Sequence, residues 1–296
     1  MKIVNFGSCN IDYVYSLEHI VIPGETESTY NLEVFPGGKG LNQSIAIARA
    51  GAEVFHVGCV GEESQLLLDT LEESDVNISY IKTVEGKNGH AIIQLASSGE
   101  NSIFLYPGSN RKFTTEFIDY VLADFSAGDI LVLQNEINQI NYIVEQAYQK
   151  KLQVVLNPSP FDKAIKYIDL QKISYLILNE IEAEGLTGYD NPEESLEYFK
   201  VNYPSLKVVV TLGGQGCRYM DNNQDLYQSA FKVDVVDTTA AGDTFAGYFI
   251  AGLAEKKDIL EVLNVASAAA ALTVSRKGAA TSIPYEQEVL QMLKVR

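Results

Sequence analysis

"DILVLQNEINQINYIVEQAYQKKLQVVLNPSP", residues 129–160, sets two apolar runs on either side of a helical pattern. In "DILVLQ" (129–134) the apolar residues follow one another without polar alternation, as a strand covered on both faces requires. Ile140, Ile143, Val144, Ala147 and Tyr148 then recur at helical spacing, and "QVVLNPSP" (153–160) restarts a strand. Strand, crossover helix and strand make a parallel pair. "YLILNE" (175–180) and "KVVVTLGG" (207–214) continue the rhythm, which runs from about residue 107 onward. The expected fold class is therefore α/β, a three-layer, mostly parallel sheet with helices on both faces.

Two segments break this rhythm. Residues 11–35 ("IDYVYSLEHIVIPGETESTYNLEVF") and 89–106 ("GHAIIQLASSGENSIFLY") alternate apolar and polar positions around Pro23-Gly24 and Ser98-Gly99-Glu100. They read as antiparallel hairpins that together build a small antiparallel β-sheet. Because the helix-forming region from 41 to 88 separates them, that sheet is expected to rise from the larger one as a lid, within a single domain spanning 1–296. Ligands of open α/β sheets sit beyond the carboxyl ends of the strands, where a lid is useful. Two Ala- and Gly-rich helical stretches, "AAGDTFAGYFIAGLAEKK" (240–257) and "DILEVLNVASAAAALTVSR" (258–276), follow near the end of the chain.

With 296 residues, 46% of them hydrophobic, the chain can bury a sizeable core. Its 22 basic against 39 acidic residues, a net charge of -17, exclude partners that need a broad basic surface, such as nucleic acid or an anionic membrane. An anionic substrate would need a locally positive pocket. "MKIVNFGSCNID" has neither the cationic flank nor the cleavage pattern of a signal peptide, and no apolar run approaches the roughly 20 residues that cross a bilayer, so a cytoplasmic location is expected. Cys9, Cys59 and Cys217 are scattered, as core thiols of a reducing compartment would be, with Cys9 close to a candidate site. His19, His56 and His90 show no metal-ligand spacing and are read as structural.

"DTTAAGDTF" (237–245) follows "FKVDVVD" (231–237), read as a strand, and precedes the first Ala-rich helix. Ala240, Ala241 and Gly242 then occupy a strand-to-helix turn whose free amides form an anion site. Their small size lets a phosphate reach the backbone, and Asp243 would stand beside it, placed to take a proton from an attacking hydroxyl. The same pattern also suits an aspartate that merely caps a helix. A second cluster, "FPGGKGLNQSIAIARAG" (35–51), leads through Gly37, Gly38 and Gly40 into a helix, with Lys39 as its cation and Asn42 in the first turn. It is not a Walker A loop, since Gly40 follows Lys39 and no glycine stands five residues before Gly38.

Taken in order, "NID" (10–12), "GGKGLNQ" (37–43), "PGSN" (107–110), "LQNE" (133–136), "NPSP" (157–160), "NEIE" (179–182), "TLGGQG" (211–216), "DTTAAGDTF" and "RKGAATSIP" (276–284) resemble the ribokinase (PfkB-type) family of carbohydrate kinases. The resemblance runs nearly end to end. It implies a ribokinase-like fold, with a Rossmann-like sheet and a β-sheet lid, and ATP-dependent phosphorylation of a sugar. Position by position, it implies that Asn10, Asp12, Gly38, Lys39, Asn42 and Glu136 line a sugar pocket, with Asp243 as general base and Ala240, Ala241 and Gly242 in the anion hole. The hydroxyl would be the 5-hydroxyl of ribose; deoxyribose, a hexose or a nucleoside are the alternatives, and a non-catalytic sugar or nucleotide sensor is a more distant one.

The resemblance further implies that Asn179 and Glu182 organise Mg²⁺ and phosphate, and that Thr211, Gly213 and Gly216 form the nucleotide-binding turn. A monovalent cation, K⁺, would lie among Asp237, Thr239, Thr273, Arg276, Gly278 and Ser282, several acting through backbone carbonyls. Asn179 also suits a plain helix cap. The chain departs from the family at the adenine end, where Ala266 stands at a position that is often polar, with Asn264 and Ser267 nearby. Closure of a lid over a small sugar would exclude water, and the resemblance implies a homodimer formed through the lids.

Overall fold

Uninterrupted β-branched runs form the centre of the larger sheet in the computed structural model, which describes residues 1–294. The chain opens with β1 (Ile3–Phe6), β2 (Asn10–Leu17), β3 (Asn31–Gly37), α1 (Lys39–Arg49), β4 (Val54–Val60), α2 (Gln65–Glu72) and β5 (Asn77–Thr83). It continues through β6 (Gly89–Ala96), β7 (Asn101–Tyr106), α3 (Thr115–Leu122), β8 (Ile130–Gln134), α4 (Ile140–Gln149), β9 (Gln153–Asn157) and β10 (Tyr175–Asn179). The remainder is α5 (Glu180–Thr187), α6 (Pro192–Asn202), β11 (Lys207–Thr211), β12 (Gly216–Met220), β13 (Asp225–Ser229), α7 (Ala241–Ala254), α8 (Ile259–Val274) and α9 (Glu286–Lys294).

Nine strands form one sheet in the order β13-β12-β11-β10-β9-β8-β1-β4-β5. The pairs from β5 through to β11 are parallel, and β12 and β13 add an antiparallel edge. Successive residues of each inner strand enter opposite faces of the sheet. Val209 joins a core layer with α1, α7 and α8, whereas Val208 and Val210 join the layer containing residues of α3, α4, α5 and α6. This is the three-layer α/β architecture read from residues 129–160.

The strand order also fixes where ligands can bind. From β1 the chain builds outward through β4 and β5, and from β8 it builds the other way, so the order reverses between β1 and β8. The crevice beyond the carboxyl ends at such a reversal is the usual ligand site of an open α/β sheet.

The hairpin segments supply β2, β3, β6 and β7, a separate sheet in the order β3-β2-β6-β7. Each hairpin is antiparallel, while its two halves join through a parallel pair, Asn10↔Gly89 to Leu17↔Ala96, which makes the small sheet mixed. Gly99, with φ 88°, turns the second hairpin as expected. The connection from β2 to β3 is instead a long loop, residues 18–30.

Two expectations need correction. The region 41–88, read as helix-forming, also carries β4 and β5, which extend the main sheet beyond β1. In β4 His56 and Gly58 interrupt the apolar run, and β5 is a half-exposed edge, so neither shows the pattern of a buried strand. The segment 231–237 is not a strand: it crosses the end of α8, where the amides of Val236 and Asp237 donate to the Val274 carbonyl at 2.8 and 3.2 Å. Among the described residues, no helix is long and apolar enough to cross a membrane.

Candidate active site

The carboxyl ends of four adjacent strands each finish on a polar residue: Gln134 on β8, Asn157 on β9, Asn179 on β10 and Thr211 on β11. Parallel register places Gln134 beside Asn157 and Asn179 beside Thr211. Asn157, Asn179 and Thr211 line a cavity of about 220 Å³, whose other wall is Lys39, Glu182 and the start of α7, from Ala240 to Asp243.

Ala240 precedes α7 in the left-handed region, φ 60°, a conformation costing about 1 kcal/mol for a residue with a side chain. It aims the first turn of the helix at the cavity. No side chain caps this helix, and a Cβ on Gly242 would meet nothing within 4 Å. The Ala241 amide is turned back to the Thr238 carbonyl at 3.3 Å, which removes it from the expected donors and leaves the Gly242 and Asp243 amides at the start of α7 open to an anion.

Asp243 is buried, 6% exposed. Asn42 Nδ2 donates to its Oδ2 at 3.1 Å and Gln43 Nε2 to its Oδ1 at 3.0 Å, so both oxygens are held by neighbouring residues of α1. Asp243 does not cap its helix through its side chain. Lys39, at the first position of α1, is the cation of the cavity. Burial opposes its charge, but the carboxylates of Asp243, Glu136 and Glu182 outweigh that and hold it above the ordinary lysine value. In a strongly acidic protein this supplies the local positive charge that an anionic substrate needs.

The second half of the site spans the β1–β8 reversal. Ser8, just beyond β1, donates its hydroxyl to Glu136, just beyond β8, and the Lys39 amide reaches the same carboxylate oxygen at 2.9 Å. A side chain on Gly40 would overlap the Gly7–Ser8 backbone, so only glycine lets α1 begin this close to β1. Asn10 starts β2, with its Oδ1 accepting from Asn110 Nδ2 at 2.7 Å, and Asp12 follows on the same face of the strand. Burial first, and the charge of Glu136 second, push Asp12 up to about 7. Gly38, φ 96°, links β3 to α1.

Asn179 and Glu182 form a reciprocal capping box on α5: the Glu182 amide donates to Asn179 Oδ1 at 2.9 Å, and the Asn179 amide to Glu182 Oε2 at 3.0 Å. Both still face the cavity, and with Asp243 they present the hard oxygen ligands that Mg²⁺ accepts. No cluster of three or more His, Cys, Asp or Glu suited to a metal exists among the described residues, so an all-protein cage is absent there. Mg²⁺ commonly needs only one or two carboxylates alongside phosphate oxygens and water, and the residues fit that use. Gly213 and Gly216 turn the chain between β11 and β12 with φ 51° and 118°, outside the cavity lining.

The six residues of the expected cation site come together only in part. Asp237 accepts from the Thr239 amide at 2.9 Å and hydroxyl at 2.7 Å, and from the Gly278 amide at 3.0 Å, tying the two loops together next to the cavity. Burial works against the charge of Asp237, but these donors prevail and hold its carboxyl below the usual range. The side chains of the other three are engaged elsewhere: Thr273 with Thr244 at 3.0 Å, Ser282 with the Ala279 carbonyl at 2.7 Å, and Arg276 with Glu288 at 2.6 Å. Asp237 is half-buried and its carboxylate is flanked by loop backbone.

His56 and Cys9 have partners that spacing alone did not show. Ser44 Oγ lies 2.8 Å from His56 Nδ1, and Cys9 Sγ lies 3.2 Å from His56 Nε2. Burial pulls the imidazole down to about 3 and pushes the Cys9 thiol up, so the pair is neutral and Cys9 is no nucleophile. His19 pairs with Glu25, and His90 packs against Tyr13 and Tyr106. Asn5, Ser8, Gln43, Asn110, Gln134 and Asn157 were not singled out in the sequence, although four of them lie inside the quoted motifs; for Ser8, Gln134 and Asn157 a hydroxyl or amide at the end of an apolar strand was the available signal.

A family model described as pfkB family carbohydrate kinase matches residues 1–286. The chain is 36% identical to a ribokinase of Staphylococcus aureus over 98% of this chain and 99% of that one. Its fold matches a ribokinase crystal structure from Thermotoga maritima with a TM-score of 0.89 and 34% identity, covering 99% of both chains. It also matches an Arabidopsis thaliana ribokinase complexed with ribose and ATP, with a TM-score of 0.87 and 31% identity over 99% of this chain and 98% of that one.

Proposed function

The chain belongs to the pfkB family of carbohydrate kinases, and we propose that it phosphorylates the 5-hydroxyl of D-ribose with ATP. The observation that carries this reading is Asp243, buried and held by two amides at the wall of a cavity that also receives Lys39 and the uncapped start of α7.

In this reading, sugar hydroxyls bind to Asn10, Asp12, Asn42 and Glu136, whose amides and carboxylates can donate and accept. Asp243 takes the proton of the attacking hydroxyl as the new O–P bond forms and the bond to the departing ADP breaks. Lys39 and the amides of Gly242 and Asp243 stabilise the charge on the transferring phosphoryl oxygens. Mg²⁺, when bound near Asn179 and Glu182, neutralises the phosphates. Asp237, with the loops at Thr239 and Gly278, would hold K⁺ next to this anion site. The four-stranded sheet acts as the lid that keeps water out, and its exposed edge pairs two copies into a homodimer.

Coupled ADP release with Mg·ATP, measured across ribose, deoxyribose, fructose and adenosine with and without K⁺, tests the assignment. Ribose-dependent turnover stimulated by K⁺ is expected. Turnover on another substrate alone would move the specificity, and silence on all four would overturn the reading.

A further inference from the structure

We propose that Gln43 is a positioning residue for phosphoryl transfer, which orients the Asp243 carboxylate through a chain of buried amides whose polarity is set by two backbone carbonyls. The inference rests on the reading of Asp243 as the base. A primary amide can present either N–H or C=O in the same volume, and only N–H holds a carboxylate. What fixes the choice at Gln43 lies two residues further into the protein.

Gln43 Oε1 accepts from Gln134 Nε2 at 2.7 Å, which leaves Gln43 Nε2 to donate to Asn157 Oδ1 at 3.1 Å and Asp243 Oδ1 at 3.0 Å. Gln134 spends its other N–H on Asn5 Oδ1 at 2.9 Å. Asn5 in turn donates to the Gly40 carbonyl at 2.9 Å and to Ser44 Oγ at 2.8 Å, while Asn157 Nδ2 donates to the Ile177 carbonyl at 2.8 Å. A backbone carbonyl can only accept. Asn5 and Asn157 are therefore locked at opposite ends, and turning over any amide between them would set oxygen against oxygen.

Asn5 and Gln43 are wholly buried and Gln134 is 1% exposed, so solvent cannot compensate such a flip. Apolar side chains would fill these positions without the cost of burying amides. The chain's product is one N–H aimed at Asp243 Oδ1, which together with Asn42 on Oδ2 defines the plane of the carboxylate. Small misplacement of a catalytic group costs up to about 10²-fold in rate, which gives this alignment its value.

The test uses the full chain carrying Gln43→Met, Gln134→Met, both together, and Asp243→Asn as control, with kcat, sugar KM and thermal midpoint measured for each. Gln43→Met is expected to lower kcat about 10- to 100-fold with sugar KM within about threefold of the unsubstituted protein. Gln134→Met should lower kcat less, and the double variant should be no slower than Gln43→Met, because Gln134 acts only through Gln43. A purely structural role would lower the midpoint, leave kcat of the folded protein unchanged, and make the two losses independent. Near-normal kcat in Gln43→Met with a collapse in Asp243→Asn overturns the proposal alone; normal kcat in Asp243→Asn overturns the base assignment beneath it. Should Gln43→Met fail to fold, Gln134→Met decides: kcat lowered at constant sugar KM supports the chain, and kcat within about twofold of the unsubstituted protein refutes it.

Discussion

Asp12 shows how one residue ties burial to pH dependence. Its carboxyl, pushed up to about 7, is protonated below neutrality and charged above it. A charged carboxylate accepts hydrogen bonds from sugar hydroxyls with all its oxygen lone pairs, and a proton removes part of that capacity. Sugar kcat/KM is therefore expected to rise about tenfold between pH 6 and pH 8, and Glu136→Gln, which removes the second cause of the shift, should move the rise to lower pH. A flat profile between pH 6 and 8 would count against Asp12 as a sugar ligand. Asn42, Lys39 and Asp243 could be named in the sequence because charged or amide residues stand out in turns of small residues, whereas Asp12, inside β2, was implied only by the resemblance that "NID" (10–12) carries. Gln43 could not be named from its own surroundings, because its proposed role lies in hydrogen bonds that include one between helix α1 and strand β8, to Gln134, 91 residues away.

Among elements, legibility followed burial. β8, β9, β10 and β11 are almost wholly buried and read as plain apolar runs, and α7 and α8 showed as long Ala-rich stretches. β4 and β5 were hidden by polar and small residues: His56 in β4 is buried, with Ser44 and Cys9 as its hydrogen-bond partners. The segment 231–237 misled for the converse reason: its Val and Phe residues have strand propensity, yet it joins no ladder, and the amides of Val236 and Asp237 are taken by the Val274 carbonyl at the end of α8. Its extended path still delivers Asp237 and the small residues to the cavity. The parallel pairing of β2 with β6 was not legible, because alternation reports which faces a strand shows and not which strand lies beside it.

At the level of the whole molecule, the four-stranded sheet is where the surface is least self-contained. Every residue of β7 is exposed, including Ile103, Phe104, Leu105 and Tyr106, and Leu32 and Val34 are exposed on β3, at the other edge of the same sheet. Apolar side chains on an open strand edge favour pairing with another copy. Sedimentation should give twice the monomer mass for the unsubstituted protein and a monomer for Phe104→Lys; a monomer in both would remove the dimer. The net charge of -17 sits on a fold whose candidate active-site cavity nevertheless holds a lysine raised by three carboxylates, so global and local electrostatics are separate properties of this chain.

The most direct test of the central claim is sugar-dependent ADP release by Asp243→Asn compared with the unsubstituted protein, with ribose binding measured in both by calorimetry. The account predicts turnover lowered by roughly 10²-fold or more with ribose binding retained, the scale of lost general-base catalysis. Turnover that survives the substitution would show that the proton leaves the sugar by another route and that Asp243 is not its acceptor.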